Sequence, residues 1–146
     1  MKKVINIICT TFLIALFLYA AYFKIQTFQE FIHQLDHSPY FKNNGTLVAW
    51  IVPSLEIGIV LCLIFNRSRL VGLYSSFILL LLFTLYIYLL LHFSESLPCG
   101  CGGIISKLSW SQHFWFNLLF LGLAVTGILT LQSSKTKNMH ASESPT

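Results

Sequence analysis

Two cysteines one residue apart, Cys99 and Cys101, stand in the run Pro98-Cys99-Gly100-Cys101-Gly102-Gly103 and carry the clearest chemical signal in the chain. A C-x-C pair can close a disulfide, but the ring is small, and departure from preferred disulfide geometry stores strain that makes the bond easier to reduce. The three glycines permit the unusual backbone angles that such a ring demands. Strained, accessible disulfides exchange with other thiols, whereas structural ones usually close long loops between distant elements. Thiol-disulfide exchange is therefore the chemistry expected at Cys99 and Cys101, with a small structural staple as the alternative. Exchange needs a thiolate, and a protonated His92 or His113 nearby would favour it. The same four side chains also make a two-thiolate, two-imidazole set suited to zinc or copper, although C-x-C is tighter than the usual C-x-x-C metal knuckle.

Glu56 is the second candidate, because it is the only acidic residue inside an apolar run. About nine helical rises of 1.5 Å from Leu47 place it near the middle of a bilayer. A carboxylate there is expensive, so it is expected to face the interior, protonated or paired, as a functional acid or as the partner of a hydroxyl such as Thr84. Pro53, three residues earlier, removes a backbone donor and leaves the Ala49 carbonyl without its usual bond, so a kink and a polar pocket beside the acid are expected. A quinone in the aromatic-rich bundle near Glu56 is a conceivable cofactor. His33-Gln34-Leu35-Asp36-His37 sets two imidazoles four apart on a helical face, but it lacks the general base of HExxH, and a solvated polar face is the better reading. Cys9 and Cys62 fall inside apolar runs, where cysteine acts as a small hydrophobe. No Gly-rich phosphate loop or G-x-S-x-G elbow appears, so kinase and hydrolase chemistry have no support.

These residues need a scaffold, and composition says which kind. Of 146 residues, 55% are hydrophobic and 10% charged, with 13 Phe, 6 Tyr and 3 Trp. Soluble domains are about a quarter charged, so the lipid bilayer is the expected solvent. Apolar runs over Val4–Phe23, Leu47–Phe65, Leu70–Phe93 and about Trp110–Leu131 each have the length of one crossing. The fold expected is all-α: a polytopic membrane protein with a four-transmembrane-helix bundle over residues 1–131, followed by a disordered tail over 132–146. Met1-Lys2-Lys3 with the run behind it resembles a signal peptide, but the run is longer than a signal h-region and is read as an uncleaved helix.

Between the first two runs, Ile25, Phe28, Phe31, Ile32 and Leu35 recur at helical spacing, which predicts an outer amphipathic helix lying in the interface. Thr27 with Glu30, and Ser109 with Gln112, fit capping boxes, and Ser38-Pro39 ends the interfacial helix. Lys2, Lys3, Arg67, Arg69, Lys135 and Lys137 fall on one side of the bilayer, against Lys24, Lys42 and Lys107 on the other. Basic residues stay on the cytoplasmic side, so both termini are expected there and the C-x-C segment on the periplasmic or exterior face. The basic residues are scattered at span edges, which argues against nucleic acid as a partner.

The chain resembles the MauE branch of the DoxX-like membrane proteins in Ala20-Ala21-Tyr22-Phe23-Lys24, the following Phe28, Pro53-Ser54-Leu55-Glu56 and the late Pro98-Cys99-Gly100-Cys101-Gly102-Gly103. The likeness covers roughly Met1 to Leu131. It implies a four-helix bacterial inner-membrane protein in redox work, often beside periplasmic thioredoxin-like proteins, and a link to methylamine metabolism through maturation of a disulfide-rich dehydrogenase subunit. Cys99 and Cys101 match the family's C-x-C; Lys24 and Glu56 match recurrent positions without a settled role. The function expected is thiol-disulfide exchange through the C-x-C pair with a periplasmic thioredoxin-like partner, supporting disulfide formation in exported proteins. The alternatives are a noncatalytic membrane scaffold for a redox or dehydrogenase assembly, and a Cys/His metal-handling protein.

Overall fold

A computed structural model describes residues 1–38, 40–41, 44–93 and 110–142, and every regular element among them is a helix. In chain order these are α1 (Lys2–Gln26), α2 (Phe28–His37), α3 (Gly45–Ile64), α4 (Arg69–Phe93) and α5 (Trp110–Ser142). Among the described residues, four segments are long and apolar enough to cross a membrane: α1, α3, α4 and the Ser111–Ser133 part of α5. They close a ring in which α1 packs on α3 and α5, and α4 packs on the same two.

The ring follows from one buried stripe per helix. On α1 the buried positions include Asn6, Thr10, Leu13, Phe17 and Ala21; on α3 they include Ala49, Pro53, Glu56, Val60 and Leu63. On α4, Leu73, Ser76, Leu80, Thr84, Ile87 and Leu90 keep the same three- and four-residue steps. Such spacing puts the residues on one helical face. The opposite faces expose Leu, Ile, Phe and Trp side chains, as lipid-facing surfaces do.

Lipid offers no water to backbone or hydroxyl groups, so polar atoms are satisfied within the helices. Thr10, Ser76 and Thr84 each donate to the carbonyl four residues earlier, all at 2.7 Å. Thr84 is therefore spoken for within α4 and is not the partner of Glu56. Between helices, Asn6 Nδ2 donates to the Gly127 carbonyl at 2.9 Å and ties α1 to α5.

The corner between α3 and α4 is tight because α3's last carbonyls are capped from the sequence just beyond it. Ser68 Oγ donates to the Cys62 carbonyl at 3.0 Å, and Arg69 Nε donates to that of Leu63 at 3.3 Å. Such side chains satisfy the carbonyls that a helix end leaves open. Gly72 is what lets α4 come so close, since a Cβ there would sit 2.9 Å from the Leu63 backbone nitrogen.

At the α1–α2 junction the expected Thr27 capping box does not form. Thr27 Oγ1 instead donates back to the Phe23 carbonyl at 3.0 Å, and no side-chain cap bond starts α2. The Thr27 N–H that Glu30 would serve in a box is already bonded to the Phe23 carbonyl, and the Phe31 N–H reaches back to the Thr27 carbonyl. The α2 helix ends at His37, and Ser38 is extended, as a residue before proline should be.

Asp36 takes up the capping role for α3 from nine residues away, its Oδ1 accepting from Gly45 N–H at 2.9 Å. Phe28 meets Trp50 edge-on at 5.0 Å between ring centres, so α2 lies along the start of α3. At the end of the chain α5 continues through Gln132 to Ser142. No glycine or proline stands between Gly127 and Pro145 to stop it. The expected Ser109 box lies outside the described residues.

Gly72→Ala should force the α3–α4 corner apart and cost ~1–3 kcal/mol, the usual range for overpacking. Gly58→Ala, inside α3 where an added Cβ meets nothing within 4 Å, should instead be neutral or stabilising, by up to about 1 kcal/mol, because a mid-helix glycine costs that much relative to alanine. Unfolding curves in mixed micelles compare the two.

Candidate functional site

Glu56 is 1% exposed, and its partner is Lys24: Nζ donates to Oε1 at 2.7 Å. The pair joins α1 to α3 across 32 residues of sequence. Lys24 continues the buried stripe of α1, following Phe17 and Ala21 at the same helical spacing, and its own side chain is only 19% exposed. Instead of reaching out to the interface as lysines near span ends usually do, it reaches inward to the acid.

Two aromatic rings enclose the ammonium. Nζ lies 5.9 Å from the centre of the Phe31 ring on α2 and 5.4 Å from that of Phe83 on α4. Cation–π contacts at these distances gain strength where water is excluded. His113, partly buried on the first turn of α5, stands within electrostatic reach of Lys24. Side chains from α2, α3, α4 and α5 thus surround the ammonium that α1 carries.

A charge-assisted hydrogen bond of this length is the strong kind, yet it leaves part of the carboxylate unused. Glu56 Oε2 is buried and has no hydrogen-bond partner among the described residues. Buried polar atoms are nearly always paired, so Oε2 is an acceptor open to a proton or to a donor entering the bundle. Pro53 is buried on the same face of α3 one turn earlier, and α3 carries on through it. Beside the acid stands the Lys24 ammonium.

The other candidates separate. Cys99 and Cys101 lie outside the described residues, between the end of α4 and the start of α5. Those two ends are held together, since Tyr88 on α4 meets Phe114 on α5 at 6.5 Å between ring centres. His92 is exposed, stacks on Tyr88 and has Nδ1 3.1 Å from that residue's carbonyl. His33 and His37 stack at 4.0 Å on the exposed side of α2. Among the described residues no group of three or more His, Cys, Asp or Glu is placed to hold a metal. Cys9 is buried and Cys62 partly so, both as free thiols within spans.

Sequence reasoning found Glu56 and its inward orientation but missed its partner. The signal was the phase of α1: the steps that place Phe17 and Ala21 inside also place Lys24 inside.

Residues 2–130 match a family model described as methylamine utilisation protein MauE. No curated protein and no solved structure shows a match.

Lys24→Met strands a buried carboxylate and should cost ~3–5 kcal/mol, whereas Lys24→Met with Glu56→Leu should return to within about 1 kcal/mol of the parent or exceed it. A double-mutant cycle on unfolding free energies measures the coupling directly.

Proposed function

The chain belongs to the methylamine utilisation protein MauE family, and from that premise we propose that it is a membrane component of disulfide formation whose Cys99–Cys101 pair exchanges with a periplasmic thioredoxin-like protein. Family membership and four apolar helices make it a multi-pass membrane protein linked to methylamine utilisation. The exchange chemistry goes further than that. The observation supporting it is the convergence of the bundle at one end: α4 and α5 pack together there, so the segment carrying C-x-C is strung between two neighbouring helix ends. Lys24 and α2 belong to the same end, because α1 runs toward it and α3 runs away.

In the exchange, a thiolate of the reduced partner attacks a sulfur of the Cys99–Cys101 disulfide, forming a mixed disulfide and releasing the other cysteine of the pair as a thiolate. The partner's second thiolate then attacks the mixed bond, leaving the partner with a disulfide and Cys99 and Cys101 as a dithiol. Two electrons pass from the partner to this chain, and the two thiol protons go with them or to solvent. The reverse sequence restores the Cys99–Cys101 disulfide and reduces the partner. Rates follow the thiolate fraction of the attacking cysteine and its access. In this reading Glu56 and Lys24 hold α1 and α3 in register beneath the reacting segment, and His92 and His113 are the basic side chains on the helix ends that flank it.

A second reading, a noncatalytic anchor, draws on α2, which exposes Gln29, Glu30, His33 and His37 as a polar surface for a partner. The cysteines would then staple the outer segment.

Labelling intact cells with a membrane-impermeant maleimide should modify Cys99 and Cys101 only after mild reduction, and Cys101→Ser should accumulate a mixed disulfide through Cys99. A double Cys99→Ser, Cys101→Ser chain that still supports full oxidation of exported clients sinks the exchange reading. Partner co-purification unchanged in that double variant selects the anchor.

A further inference from the structure

At the end of the bundle away from Lys24, the first turns of α1 and α4 and the Thr130–Leu131 stretch of α5 enclose a cleft of about 220 Å³. Lys2, Lys3 and Arg69 line it together with Asn6, Ile7 and Leu131. Three cations share this small space. Their acidic counterparts are elsewhere: among the described residues the one ion pair is Lys24–Glu56, and the other described acids, Glu30 and Asp36, are on α2 at the far end.

Two of the cations are also held in place. Lys2 Nζ donates to Ser133 Oγ at 2.6 Å, and Arg69 Nε donates to the Leu63 carbonyl, leaving the remaining guanidinium N–H groups available. Asn6 forms the polar floor, its amide fixed on the Gly127 carbonyl. The walls are different in kind. Ile7 is 56% exposed on the outward face of α1, and Leu131 is partly buried on α5, so the cleft passes from a cationic mouth onto an apolar surface.

Mutually repelling cations in one cleft favour an anion between them, and the best geometric match for ammonium and guanidinium groups is a phosphate. An apolar wall continuous with the lipid-facing surface has no use for a free phosphate ion. We infer that the cleft between α1, α4 and α5 is a binding site for an anionic glycerophospholipid, with its phosphate on Lys2, Lys3 and Arg69 and an acyl chain along Ile7 and Leu131. Basic pockets between membrane helices bind lipid headgroups in this way. In the orientation expected from the basic residues, the site faces the cytoplasmic leaflet. The inference is independent of the cysteine chemistry.

The test is native mass spectrometry of the full chain in neutral detergent, offered phosphatidylglycerol or phosphatidylcholine. One phosphatidylglycerol per chain should be retained in preference to phosphatidylcholine, and Lys3→Gln with Arg69→Gln should weaken retention by about fivefold for each cation removed. Arg67→Gln, an exposed cation at the same end that does not line the cleft, should leave retention unchanged. Ile7→Trp keeps every charge, alters an exposed position and should still lower retention, which decides the matter if the charge variants fold poorly. Equal retention of both lipids, an equal loss in Arg67→Gln, or full retention in Ile7→Trp overturns the inference. Displacement of the lipid by millimolar inorganic phosphate overturns the lipid as the source of the phosphate.

Discussion

A lysine and a glutamate taken out of water must meet each other, and in this bundle little else is free to move once they do. Desolvating either charge alone costs several kcal/mol, which their attraction recovers only in good geometry. The 2.7 Å contact between Lys24 and Glu56 therefore fixes the register of α1 against α3. A slip of one helical turn moves the two groups about 5.4 Å apart along the axis, far beyond hydrogen-bonding distance. Phe31 and Phe83 then have to sit where they do, because the ammonium needs apolar cover that is also attractive to a cation.

The rest of the bundle can be read as support for that contact. Close helix approach comes from small residues on the inner stripes: Ala21, Ala49, Gly72, Ala124 and Gly127 are all buried. In lipid, where apolar side chains gain little by leaving their neighbours, such close packing and interhelical hydrogen bonds hold helices together. The α2 helix is kept over the start of α3 by two unlike contacts, the Phe28–Trp50 ring pair and the Asp36 carboxylate on Gly45 N–H. Gly45 has no room for a side chain, since an added Cβ would collide with Asp36 and crowd the Ile32 carbonyl. The carboxylate thus caps α3 and, by its closeness, dictates glycine at α3's first position.

Hydropathy made the four spans legible, because runs such as Leu70–Phe93 have no soluble interpretation, and the cost of a lone carboxylate made the inward direction of Glu56 legible too. What escaped were choices among competing partners. Thr27 and Glu30 have the spacing of a capping box, but the Thr27 N–H that Glu30 would serve is already taken by the Phe23 carbonyl, and the Thr27 hydroxyl turns back to that same carbonyl. Asp36 belonged to a His-x-x-x-His segment whose histidines drew attention, while its own partner, Gly45, lay across a turn and outside any local pattern. Lys24 counted as one of the outer basic residues, because lysines at span ends usually point away from the bundle. Only the buried phase of α1 distinguishes it, and that phase emerges from packing against α3.

The position of Lys24, two residues before the last residue of α1, also bears on how the protein is made. A chain synthesised from its N-terminus delivers α1 to the membrane before Glu56 has been added. A lysine in the centre of that helix would burden its insertion by about 2.5–3.5 kcal/mol, but one so near the end can rest at the headgroups until α3 arrives with the carboxylate. Its inward swing is then among the last local events of assembly, after α1 and α3 have met. The two halves of the ion pair enter the bilayer by different routes, the cation from the rim and the acid within its helix, and neither has to cross the membrane interior unpaired for long.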